Sequence, residues 1–101
     1  MIWVTLVDEK EREEKVMDRP NKLSETLEMM VSEDYKKRFI AEYWQLVIRY
    51  EKLCQMLKAW DNDKLDFEPT CPRSTYNMQV KAMSDYIAVL EARAVMENIE
   101  L

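Results

Sequence analysis

The run from Phe39 to Trp60, FIAEYWQLVIRYEKLCQMLKAW, decides the fold. Within it Phe39, Tyr43, Leu46, Tyr50, Leu53, Leu57 and Trp60 recur at alternating steps of four and three. That spacing lines up one apolar stripe along one side of an α-helix, the a/d seam of a heptad pattern. The spacing predicts a helix over about residues 33–60. Its end is marked by Asp61-Asn62-Asp63, side chains that compete for backbone hydrogen bonds.

Beyond that end the chain reads Leu65-Asp66-Phe67-Glu68-Pro69-Thr70-Cys71-Pro72. Each proline fixes its own φ and pushes the residue before it out of the helical region. Residues 61–73 are therefore expected to form a rigid, proline-braced loop, pinned by Leu65 and Phe67. The pattern then repeats: Tyr76, Val80, Met83, Ile87, Leu90 and Ala94 follow the same steps of four and three. A second helix is predicted over about residues 74–98, with Ser74 as its N-cap. Two matched heptad helices joined by a short loop fold back on each other, so the predicted fold is all-α, an antiparallel helical hairpin.

Upstream, Ser32-Glu33-Asp34 reads as an N-cap followed by first-turn acids. The spacing of Leu23, Leu27, Met30 and Val31 also allows helix before it, with a bend near Ser32. Residues 1–31 are read as an N-terminal extension to a hairpin domain of residues 32–101. Residues 2–7, rich in β-branched and aromatic side chains, read as a short strand, and residues 8–19 as a charge cluster.

Each helix carries a second apolar row outside its seam. On the first it comprises Ile40, Trp44, Val47 and Cys54; on the second, Ala82, Tyr86, Val89 and Met96. A hairpin buries one stripe per helix and leaves the other in water, which makes a large exposed patch for a monomer. Two arrangements relieve this: residues 1–31 pack over the hairpin, or copies associate into a bundle, a two-fold dimer first. The second arrangement makes Ile40, Trp44, Val47, Tyr86, Val89 and Met96 interface residues. A strand at residues 2–7 also needs a partner, which pairing between two copies would supply.

Composition narrows the function. Among 101 residues there is no glycine and no histidine. Missing glycine removes phosphate-cradling loops and dinucleotide fingerprints, and implies that almost no position needs a left-handed backbone. Missing histidine removes the commonest general base and the commonest metal ligand. Asp61, Asp63, Asp66 and Glu68 read as solvated loop residues, and the cysteines Cys54 and Cys71 are too few for a zinc site. Cys54 is expected in the core and Cys71 as a small buried plug beneath the loop. No catalytic set, metal site or cofactor is expected. The net charge of −5 argues against a polynucleotide partner, and no apolar run is long enough to span a membrane.

What remains is binding. Arg38, Arg49, Lys52 and Arg93 could clamp a phosphate or carboxylate, with Tyr35, Tyr50 and Tyr86 offering stacking faces. The competing reading is intrachain pairing, Arg38 with Glu42 and Arg93 with Glu97, each four residues on.

A family resemblance rests on Tyr35-Lys36-Lys37-Arg38-Phe39, Glu42-Tyr43, Leu46 and Arg49-Tyr50-Glu51-Lys52-Leu53. It continues through Leu65-Asp66-Phe67, Pro69 and Cys71-Pro72, then Gln79, Ala82-Met83, Tyr86, Leu90, Glu91, Arg93, Glu97, Ile99 and Leu101. Over roughly residues 33–101 the chain resembles a family of small phage and prophage proteins first catalogued in a crAss-like phage genome. The resemblance implies a viral accessory protein in a bacterial cytoplasm and no defined activity. By architecture alone it is also similar to oligomeric helical hairpins that sequester cyclic nucleotide signals. Three functions follow as expectations. The first is sequestration of an anionic nucleotide at an oligomer interface, to inhibit host antiviral defence. The others are direct blockade of a host protein and a structural coiled-coil role.

Overall fold

A computed structural model describes residues 19–101. The sequence-predicted strand at 2–7 and most of the charge cluster lie outside the described residues. A 3-10 turn, Leu23–Thr26, runs into a one-turn helix α1, Leu27–Met30. After a bend come the two long helices, α2 (Tyr35–Asp61) and α3 (Arg73–Met96). The described residues contain no strand. The all-α hairpin is the observed fold, with the break near Ser32 where the sequence places it.

The two heptad seams face each other. Phe39, Tyr43 and Leu46 from α2 meet Leu90 and Ala94 from α3 in one cluster, joined by Ile99 beyond the end of α3. Met83 and Ile87 flank it half-buried. Burial of each large apolar side chain contributes about 1.5–3 kcal/mol, so this seam dominates hairpin stability. Nearer the loop Leu57 is buried, while Tyr50, Leu53 and Trp60 are only half-buried.

The opposite side of α2 is covered by the chain itself. The 3-10 turn and α1 pack on it, and Ala41 and Ile48 are 0% and 3% exposed. Thr26 is fully buried there. Its hydroxyl donates to the Leu23 carbonyl at 2.7 Å and accepts from Gln45 Nε2 at 2.9 Å, so both polar groups are satisfied. Glu25 reaches back to accept from the Asn21 and Lys22 backbone amides, which close the first turn and hold its carboxyl below the usual range.

The helix ends correct several sequence expectations. Asp34, not Ser32, caps α2: its side chain accepts from Lys36 N at 2.9 Å. Ser32 instead accepts from the Asp34 amide, supporting the cap residue. Pro72, not Ser74, occupies the N-cap position of α3, where its missing N–H leaves no donor unpaired. Both long helices end in Schellman turns. Lys64 N donates to the Ala59 carbonyl and Ile99 N to the Ala94 carbonyl, each at 2.8 Å. Two positions therefore do need a left-handed backbone, and Asp63 (φ 56°) and Asn98 (φ 57°) fill them in place of glycine. Cys71 is exposed, not a buried plug, and Cys54 is half-buried. Phe67 is 52% exposed, so only Leu65, half-buried, anchors the loop.

Candidate functional site

One long flank of the hairpin gathers most of the cationic and tyrosine residues singled out above. On α2 the steps of four, three, four and three from Arg38 through Glu42, Gln45 and Arg49 to Lys52 place them along one side. On α3 Tyr86 borders the same flank, because its hydroxyl donates to the Glu42 carboxylate. Arg93 lies nearby, close enough for the Glu42 charge to favour its protonated form. Tyr50 is not part of this group. It falls on the heptad seam of α2 and is half-buried.

The members of the flank differ in what they already hold. Arg38 Nη1 donates to the Ser32 carbonyl at 2.7 Å, closing the bend before α2; the expected pair with Glu42 is not made, since Glu42 receives Tyr86. Arg93 makes its expected pair, Nε to Glu97 Oε2 at 2.8 Å, and its guanidinium sits 4.7 Å over the Phe39 ring. The Tyr35 hydroxyl donates to the other Glu97 oxygen at 2.7 Å. Arg93 first and Tyr35 second hold the Glu97 carboxyl below the usual range, and the same bond pushes Tyr35 up. Arg49 and Lys52 are exposed and make no hydrogen bond or ion pair with any described residue.

These two cations lie three residues apart, on adjacent turns. With no carboxylate partner among the described residues, they can direct their donors to an anion from solution. Tyr86, 44% exposed, is held by its hydroxyl at Glu42, about two turns along the same flank from Arg49.

The other flank is occupied. Trp44 packs edge-on against Tyr43 at 4.9 Å between centroids, and Arg19 lies 4.7 Å over its indole while pairing with Glu51 at 2.8 Å. Burial, and then the hydrogen bond to Glu91 at 2.7 Å, push the Tyr43 hydroxyl up to about 12. The expected interface residues thus divide. Ile40, Trp44 and Val47 are half-buried against the core, whereas Tyr86, Val89 and Met96 are exposed.

Two hollows lie apart from the flank. One of about 320 Å³ at the hairpin tip is lined by Trp60, Asp63, Leu65, Phe67, Glu68 and Pro69. Beside it Arg73 is spent on Asp61, on the Trp60 ring at 5.3 Å and on Asn77. Arg73 holds the Asp61 carboxyl down. The other, about 440 Å³, lies where α1 meets α2, between Glu28, Met29, Ser32, Lys37 and Ile40. Among the described residues no three Cys, Asp or Glu side chains converge as a metal site requires. No helix of the described residues is long and apolar enough to cross a membrane.

The pairings that the sequence reading missed are those between helices: Tyr35 with Glu97, Glu42 with Tyr86, Tyr43 with Glu91 and Asp61 with Arg73. All four straddle the loop nearly symmetrically about Asp66. Reflecting each residue number through the loop centre would have found them, because an antiparallel hairpin sets a single register.

The family model Sequestin matches residues 33–96, from the bend before α2 to the last residue of α3, and the chain belongs to that family. No curated protein and no solved structure matches the chain.

Proposed function

We propose that this member of the Sequestin family is a non-enzymatic phage accessory protein that sequesters an anionic nucleotide signal in the bacterial cytoplasm. In doing so it blunts a host antiviral defence. The family name supports a sequestering role. The observation that carries the ligand class is the pair of exposed cations without described partners, Arg49 and Lys52, on a chain whose net charge is −5. Two concentrated cations in an acidic protein favour a compact anion over a long polyanion, which the surrounding acids repel. Tyr86 supplies a stacking face for a base, and Arg38 extends the positive row toward the bend. A cleft for the whole ligand is completed at an interface between copies.

A thermal-shift titration against cyclic di-AMP, cyclic di-GMP and cyclic tri-AMP tests this. The expected result is a saturable rise in Tm with at least one of them, lost on Arg49→Ala and reduced on Lys52→Ala. No rise with any member of the panel would refute nucleotide sequestration. The acidic surface favours a second reading, blockade of a host protein. That reading expects no nucleotide response and a salt-sensitive complex with a basic protein.

A further inference from the structure

The hollow at the hairpin tip has two aromatic rings in its wall. Trp60, in the last turn of α2, and Phe67, on the loop, both line it. Folding does not account for Phe67, whose ring stays largely in water on a loop that is braced at both ends. The Lys64 amide closes the end of α2 on the Ala59 carbonyl, and Pro69 and Pro72 each fix their own φ. A ring held out by a stiff loop adds little to stability but offers a preorganised face to a ligand. The charged groups of the lining are Asp63 and Glu68, and no cation lines the hollow. Their side chains make no hydrogen bond or ion pair with any described residue.

The neighbouring Arg73 shows what such surroundings hold. Its guanidinium sits 5.3 Å over the Trp60 ring, while Nη1 and Nη2 donate to the two Asp61 oxygens at 2.5 and 3.2 Å. A ring and a carboxylate together therefore already grip one guanidinium at this end of the hairpin. Arg73 is outside the lining, so it does not fill the hollow. There the same chemistry recurs, with Phe67 as a further ring and Asp63 and Glu68 as carboxylates without a cation.

We propose that this hollow is a guanidinium site, taking the head group of an arginine-like organic cation. The head group stacks on the aromatic wall and directs its N–H donors to Asp63 and Glu68. Guanidinium is favoured over ammonium because its planar fork stacks and donates to two carboxylates at once. The volume of about 320 Å³ is at the lower end of the roughly 300–1,000 Å³ of small-ligand sites, enough for one head group. The same carboxylates repel phosphates, so the hollow selects the opposite charge to the Arg49–Lys52 flank and does not rest on the nucleotide reading. The guanidinium comes from a free solute or from an arginine side chain of a polypeptide, and the recognition chemistry is shared.

An NMR titration of the full ¹⁵N-labelled chain tests the site with three probes. They are ethylguanidinium, a capped tripeptide with a central arginine, and the same tripeptide with citrulline, which keeps the shape without the charge. The two guanidinium probes are expected to give saturable shifts of the Trp60 indole N–H and of the backbone amides of residues 63–68, with dissociation constants of about 1 mM. The citrulline peptide is expected to give none. Phe67→Ala and Glu68→Gln alter exposed positions and should keep the circular dichroism spectrum, yet each should weaken binding about three-fold. Arg49→Ala should leave these shifts unchanged. Tighter binding of the arginine peptide than of ethylguanidinium supports the site with a polypeptide as its source; equal or weaker binding supports it with a free solute. An equal response to citrulline, shifts spread over acidic residues elsewhere, or an affinity unchanged in both variants overturns the proposal.

Discussion

Helices α2 and α3 begin from the same kind of sequence and end in different surroundings. Each has a heptad seam and a second apolar row. Yet α2 buries Phe39, Ala41, Tyr43, Leu46, Ile48 and Leu57, whereas α3 buries Leu90 and Ala94 alone. The cause lies outside both helices. The residues preceding α2 double back onto its outer face, and Thr26 hydrogen-bonds to Gln45 there. No described segment does this for α3. Periodicity states how many apolar faces a helix has; the neighbouring chain decides which of them stay wet.

The largest break in this comparison comes from α3 itself. Leu90→Ala, at a site 1% exposed, is expected to lower stability by about 2–5 kcal/mol. Val95→Ala, 79% exposed on the same helix, is expected to change it by less than about 0.5 kcal/mol. Urea unfolding of both variants measures the contrast directly, and equal effects would mean that the seam is misplaced.

A smaller effect tests the cover on α2. Thr26→Val keeps the volume but removes the hydroxyl that serves Gln45, so a loss of about 1–3 kcal/mol is expected. An unchanged urea midpoint would show that the 3-10 turn is not docked. Smaller again is the pair of left-handed helix ends. Asn98→Ala is expected to lose about 1 kcal/mol and Asn98→Gly to lose none, because alanine keeps the Cβ that crowds the following carbonyl without the polar side chain that offsets it, whereas glycine has no Cβ.

The electrostatic effects show only toward the pH extremes, and they distinguish the two flanks. Tyr43 has its folded-state pKa raised to about 12. Its contribution to stability is whole below an unfolded value of about 10 and is lost as pH climbs toward 12. Glu97 is lowered, so its contribution is present above about 4.3 and is lost as pH falls through the folded value. Melting curves should fall at both extremes. Tyr43→Phe should remove part of the alkaline fall, Tyr35 also being raised, and Glu97→Gln part of the acid one.

Much of the fold was legible because it rests on spacing. The seam residues Phe39, Leu46, Leu90 and Ala94 are buried where a heptad places them. The caps were harder to assign, since Ser32 and Asp34 compete within one bend and only backbone dihedrals choose between them. Absent glycine suggested absent left-handed turns, but Asp63 and Asn98 tolerate that conformation. The candidate site was legible as residue types on one helix side. Arg93 and Arg38 proved to be engaged, and Arg49 and Lys52 stood out only once cross-helix partners had been assigned. Those partners depend on register, which no single-helix pattern contains.

A sequestering Arg49–Lys52 flank retains its nucleotide and releases it chemically unchanged. The most direct measurement incubates the chain in excess with cyclic di-AMP, cyclic di-GMP or cyclic tri-AMP, removes the protein by filtration, then denatures it and analyses both fractions by mass spectrometry. The expected result is that at least one nucleotide leaves the filtrate and returns intact on denaturation, and that Arg49→Ala leaves it in the filtrate. A nucleotide returned chemically altered, or none retained at all, would contradict it.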